Sequence, residues 1–145
     1  MGLFNSINVS ATGLTAERLR MDIISENIAN AETTRTASGG PYRRKIPIYK
    51  ELQTNDFESV FSNALNSNSG EGVEVVGVKD DMAPFIKKYD PNHPDANEEG
   101  YVLLPNVNIV TEMINMVSAS KAYEANVTAV NSTKSMMMKA LEIGR

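Results

Sequence analysis

The chain contains no cysteine and no tryptophan, and only one histidine in 145 residues. Lacking cysteine, it can form no disulfide, thiolate metal site or cysteine nucleophile. Aromatic residues make up 6%, which argues against one large aromatic core. No run of about 18 apolar residues occurs, so no membrane-spanning helix and no membrane insertion are expected. The N-terminus has no basic segment leading into an apolar one, so no cleaved secretory signal is expected either. The net charge of −4 and the pI of about 5.0 speak against nucleic acid as a partner, since nucleic-acid binders present a basic face.

Catalytic and metal-binding signatures are also missing. His93 lies in Asp90-Pro91-Asn92-His93-Pro94-Asp95, a loop with several oxygen donors. A calcium loop of the EF-hand type needs Asp or Asn at its fifth position and Gly at its sixth, where Pro94 and Asp95 stand. The loop reads instead as a rigid proline turn. No G-x-S-x-G accompanies the histidine, and Ser38-Gly39-Gly40-Pro41 lacks the Lys-Ser/Thr of a phosphate loop, so it reads as a turn or hinge. No enzyme activity, cofactor or metal is expected. Arg43-Arg44-Lys45 is basic but isolated, and reads as a solvated strand face or a contact with an acidic neighbour in an assembly.

What the chain does have is helical periodicity at both ends. Ile7, Ala11, Leu14, Met21, Ile24 and Ile28 recur at helical spacing, with charged residues between them. From Asn108 to about Glu142 there is no Pro or Gly. Steps of four and three pick out Ile109, Met113, Met116, Ser120, Tyr123, Val127, Val130, Lys134, Met137 and Leu141, and eight of these ten are apolar. A repeat averaging about 3.5 residues keeps one stripe facing a partner helix, as in a coiled coil. Asn108 is a suitable N-cap and Gly144 a suitable stop.

The middle differs in kind. Tyr42–Tyr49 alternates charged and apolar residues and predicts a strand, with Pro47 confining it to an edge. A short helix is predicted over Asp56–Asn66 and a polar loop over Asn66–Gly72. Val73–Val78 predicts a strand, and Pro84–Tyr89 another paired with it through an Asp80-Asp81 turn. Tyr101–Leu104 predicts a short strand. The middle, 32–106, carries twelve acidic and eight basic residues, whereas the two ends together carry six of each. Ends without net charge can pack against their own copies with little repulsion.

An isolated amphipathic helix is marginal in water, and the nearest partner for each end is the other. The expected fold is mainly α with a small β-rich insert. Its parts are an N-terminal helix (1–35), a β-rich middle domain with loops (36–106) and a C-terminal helix (107–145), the helices paired as an antiparallel coiled coil. The seam falls on Ile7, Leu14, Met21 and Ile28 and on Ile109, Met113, Met116, Tyr123, Val127, Val130, Met137 and Leu141. So long a stalk has little internal core, and copies packed side by side would supply the missing burial.

Three stretches carry a resemblance. Ser10-Ala11-Thr12-Gly13-Leu14-Thr15-Ala16, running on to Ser25-Glu26-Asn27-Ile28-Ala29-Asn30-Ala31-Glu32-Thr33, resembles the N-terminal signature of the flagellar rod and hook axial proteins. Asp90–Ala96 with Gly100-Tyr101-Val102 and Pro105-Asn106-Val107-Asn108 resembles a segment characteristic of one type of rod subunit. Glu112-Met113, Ser118–Asn126 and Ser135-Met136-Met137 resemble the C-terminal rod signature. Within these, Asn27, Ala29, Asn30, Ala31, Pro105 and Asn106 stand out.

The resemblance implies a structural subunit of the proximal rod of the flagellar basal body. Such subunits leave through the flagellar type III export apparatus without signal cleavage. They assemble in the periplasm into a hollow helical tube that transmits torque and conducts later subunits. The implied neighbours are the rod proteins FlgB, FlgF and FlgG, the base protein FliE and copies of the same chain. The competing reading is a coiled-coil adaptor or secreted helical translocator that forms a discrete oligomer. It shares the terminal stripes but not the three motifs together.

Overall fold

The computed structural model describes residues 3–37, 39–52, 61 and 72–143. The predicted helix over Asp56–Asn66, most of the predicted loop that follows, and the predicted stop at Gly144 lie outside the described residues, apart from Phe61, which is helical and exposed, and Gly72. The main elements run α1 (Leu3–Ala29), β1 (Lys45–Glu51), β2 (Val73–Asp80), β3 (Ile86–Tyr89), β4 (Tyr101–Leu104) and α2 (Ile109–Ile143). The fold is mainly helical with small antiparallel sheets in its middle.

The two helices pack along each other and run antiparallel. Asn27 meets Glu112, and Gly13 lies against Asn126. Both intervals are fourteen residues, from 13 to 27 on α1 and from 112 to 126 on α2, so the register advances one for one. At 1.5 Å per residue, α1 is about 40 Å long and α2 about 52 Å. In this register Leu3 falls opposite Met136, so the end of α2 runs past α1.

Local sequence explains where the helices stop and start. Asn108 caps α2, its Oδ1 accepting the Thr111 N–H at 3.1 Å. At the end of α1, Asn30 donates through Nδ2 to the Glu26 carbonyl at 2.9 Å and accepts from Thr33 Oγ1 at 3.2 Å. The chain then turns back. Tyr42 N–H donates to Thr33 O at 3.0 Å, and the reversal is closed by Gly39 and Gly40, both at positive φ. Most residues avoid that region on steric grounds.

β1 and β2 form one two-stranded ladder, with Pro47 opposite Val78 and a register shift after Ile48. In a two-stranded sheet every strand is an edge, so Pro47 deprives no second neighbour of a hydrogen bond. β3 and β4 form a separate ladder, Ile86 opposite Leu104 and Tyr89 opposite Tyr101. This corrects the expected pairing of the 73–78 and 84–89 strands. The predicted turn is pinned elsewhere. Asp81 N–H donates to Arg44 O at 2.7 Å, and Asn106 Nδ2 donates to Asp81 O at 3.0 Å. The chain therefore leaves β2 toward the helix junction, and β3 emerges beside β4.

Candidate functional site: the junction of helices and middle domain

The middle domain meets α1 midway, where Thr12 Oγ1 accepts the Val73 N–H at 3.2 Å, but most of its side-chain hydrogen bonds to the helices converge where α1 ends and α2 begins. Asn27 and Glu112 are each 1% exposed there. Asn27 Nδ2 donates to Lys45 O at 2.9 Å and to Glu112 Oε2 at 3.1 Å. Its Oδ1 accepts from Tyr42 Oη at 2.9 Å and from the Lys45 N–H at 2.8 Å. All four capacities of the amide are used. Glu112 Oε1 accepts from Arg44 Nη2 at 2.8 Å, from Arg44 Nε at 3.0 Å and from Asn115 Nδ2 at 3.3 Å.

A second layer holds this one. Asn106 Oδ1 accepts the Arg44 N–H at 2.9 Å, while Asn106 Nδ2 donates to Asp81 O and, at 3.3 Å, to Ala83 O. Lys45 Nζ pairs with Glu26, and the Arg43 guanidinium stacks 4.3 Å over the Phe85 ring. Ala31, Tyr42 and Val107 form the apolar floor. Burial, and then the carboxylates of Glu26, Asp80 and Glu112, push the Tyr42 phenol up to about 12 from its usual 10.0. Its O–H therefore stays a donor to Asn27. No buried side-chain nitrogen or oxygen among the described residues lacks a partner.

The motif residues are thus placed as follows. Asn27 is the hub, Asn30 closes α1, and Ala31 lies in the apolar floor. Pro105 is buried and Asn106 staples Arg44, just before β1, to the 81–83 turn, whereas Ala29 is exposed. Arg44 and Lys45, read from sequence as solvated or intermolecular, are spent on Glu112 and Glu26 within the chain. Tyr42 and Arg44 were missed as cluster members. The signal that could have found them is a basic and aromatic run following a buried-type Asn motif, with a lone Glu in the first turn of an apolar helix.

The stripe residues fall into two groups. Ile7, Leu14, Met21 and Ile28 on α1 are half-buried. So are Met116, Tyr123, Val130 and Met137 on α2, one row of the face turned to α1. The other row of that face is Glu112, Ala119, Asn126 and Thr133, of which Ala119 is wholly buried. Ile109, Met113, Val127 and Leu141 are exposed. The contact within the chain is therefore turned by about one residue from the most apolar stripe. Small residues explain the turn. A Cβ on Gly13 would sit 3.1 Å from the Asn126 amide, which shows how closely the backbones approach there. Ala119 is small enough for the same face. Bulkier Met113 and Val127 are left at its flank.

Beyond that flank, α2 presents a bare apolar face. Val110, Ile114 and Val117 are 67%, 65% and 60% exposed. Past the start of α1, Met138, Leu141 and Ile143 are exposed as well. None of this resembles a reaction centre. The groove between Thr34, Arg35, Gly40 and Pro41 on one side and β3 and β4 on the other mixes Arg35 and Lys87 with Asp95 and Glu99 on an open surface.

The fold is a pair of long helices with an exposed apolar face on α2 and a small β insert, and comparison with known proteins gives its class as a flagellar axial protein. Residues 7–35 match the family described as flagella basal body rod protein, and residues 98–143 match the flagellar basal body rod FlgEFG protein C-terminal family. Over its whole length, the chain is similar to flagellar basal-body rod proteins FlgC. It is 52% identical to that of Borreliella burgdorferi, across 99% of this chain and 98% of that protein. It is 47% identical to that of Bacillus subtilis and 34% identical to that of Salmonella typhimurium, across the full length of both chains in each case. The chain belongs to the FlgC family of flagellar basal-body rod proteins. It is a structural subunit of the basal-body rod and not an enzyme.

Proposed function

We propose that this chain builds the proximal rod, and that the outer face of α2 is where neighbouring subunits pack. The observation that carries this is the exposure of Val110, Ile114 and Val117 on a helix whose opposite face is already filled by α1. Contiguous apolar surface of this kind marks an interaction site. Packed around an axis, such helix pairs make a hollow helical tube that transmits torque and conducts exported subunits. The neighbours are copies of this chain, the rod proteins FlgB, FlgF and FlgG, and the base protein FliE. The subunit reaches the periplasmic rod through the flagellar type III export apparatus without loss of a signal peptide. The seam positions Ile109 and Met113, exposed within the chain, flank this face, and exposed Val127 and Leu141 extend the contact further along α2.

The lack of native cysteine allows a direct test. In a Val117→Cys variant, a maleimide should label the secreted subunit readily and the same residue in purified basal bodies poorly. Equal labelling in both, or recovery of the chain only as a soluble oligomer, would count against this reading.

A further inference from the structure

Asn27 and Glu112 come from the two opposite ends of the chain, yet both are shut from solvent against residues of the middle domain. The β1–β2 sheet rests on α1. α2 reaches the start of β1 by a different route, through the Glu112 carboxylate and the Arg44 guanidinium just before the strand. Asn27 bonds to both sides at once, to the Lys45 carbonyl and to Glu112. Arg44 also reaches Asp81 at 3.5 Å, and so ties the 81–83 turn into the same cluster.

The dependence runs in both directions. If the first turns of α2 leave, Arg44 loses the Glu112 Oε1 that its Nε and Nη2 both reach, and Asn27 loses an acceptor. If the 42–45 segment leaves, Glu112 loses the Arg44 guanidinium and Asn27 loses three of its four hydrogen bonds. We propose that this cluster is a conformational coupler. The middle domain takes its fixed direction relative to α1 only when the first turns of α2 are docked, so that pairing of the chain ends and aiming of the middle domain are one event. This inference stands on contacts within the chain and does not depend on the rod position proposed above.

The test uses the full-length chain with two cysteines introduced at exposed sites, Ser25→Cys on α1 and Lys88→Cys on β3, both carrying nitroxide labels. Pulsed electron paramagnetic resonance should give one narrow distance distribution. Glu112→Gln keeps the volume but turns an NH2 group toward either Asn27 Nδ2 or Arg44. It should broaden or split the distribution while the far-UV helical signal is retained. Lys121→Gln, at the exposed pair with Glu124, should leave it narrow. A narrow, unmoved distribution in Glu112→Gln with helices intact would overturn the proposal. If Glu112→Gln loses its helices, Arg44→Met decides. Broadening with helices retained supports the coupler. An unmoved distribution, or loss of the helices there too, shows that the cluster holds the helix pair together and does not aim the middle domain.

Discussion

Asn27 makes four hydrogen bonds to three residues, Tyr42, Lys45 and Glu112, and so ties α1 to β1, to the segment before it and to α2. Replacing it with Ala would orphan the Tyr42 hydroxyl and the Lys45 N–H in a buried site. Each such group costs about 1–3 kcal/mol. Asn27→Ala should therefore lose about 2–4 kcal/mol in urea unfolding, and a loss under half of that would show that the cluster relaxes around the gap. Tyr42 adds a pH dependence. Its phenol is raised to about 12, so the fold favours the neutral form. The stability this contributes is fully present below pH 10, the ordinary tyrosine value, and is lost as pH climbs from 10 toward 12. Between about pH 9 and about pH 11.5 the wild-type chain should lose roughly 2 kcal/mol more than Tyr42→Phe, and equal losses would contradict the assignment. Gly13 is a steric test. Gly13→Val would press a branched side chain onto Asn126, whose amide is held by Ala122 O at 3.1 Å. Overpacking of this kind costs about 1–3 kcal/mol, and an unchanged unfolding midpoint would mean that the helices lie further apart than described.

At the scale of elements, both long helices, the N-cap at Asn108 and the strands β1 to β4 were legible from periodicity and capping residues. Two things were not. Strand pairing was misjudged because adjacency in sequence favoured a β2–β3 hairpin, while Asp81 and Asn106 redirect the chain through long-range hydrogen bonds that no local pattern shows. The α2 face was also placed by hydrophobicity alone. One of the two inner rows, Met116, Tyr123, Val130 and Met137, belongs to the apolar stripe, but the other, Glu112, Ala119, Asn126 and Thr133, is polar or small, and its suitability depends on Gly13 and Arg44 far away in sequence. Burial is also uneven along the pair. The junction end holds Ile23, Ile24, Asn27 and Glu112 in buried positions, whereas Phe4, Met138, Leu141 and Ile143 at the far end are exposed. Local opening follows such differences in burial. Amide exchange on dilute subunit should show stronger protection over 20–27 and 112–119 than over 4–10 and 134–143. Uniform protection along both helices would contradict this gradient.

For the whole molecule, folding and assembly are proposed to use different faces of the same helix. α1 and the middle domain hold the inner face of α2, and its outer face, exposed in the subunit, is the one proposed to meet neighbours in the rod. A charge on the outer face should thus be nearly silent in the subunit and decisive in the assembly. Ile114 is 65% exposed, and substitutions at such sites change stability by about 0.5 kcal/mol or less. In a packed rod the same charge is buried without a partner in every copy, at several kcal/mol each. The most direct test is Ile114→Asp in motile cells, with Lys134→Gln as control, scored by swimming and by immunoblots of cell, medium and purified basal-body fractions. The variant should fold with wild-type stability, leave the cell, fail to enter basal bodies and abolish swimming, while the control swims. Normal incorporation of a stably folded Ile114→Asp subunit would show that the outer face of α2 is not an assembly contact.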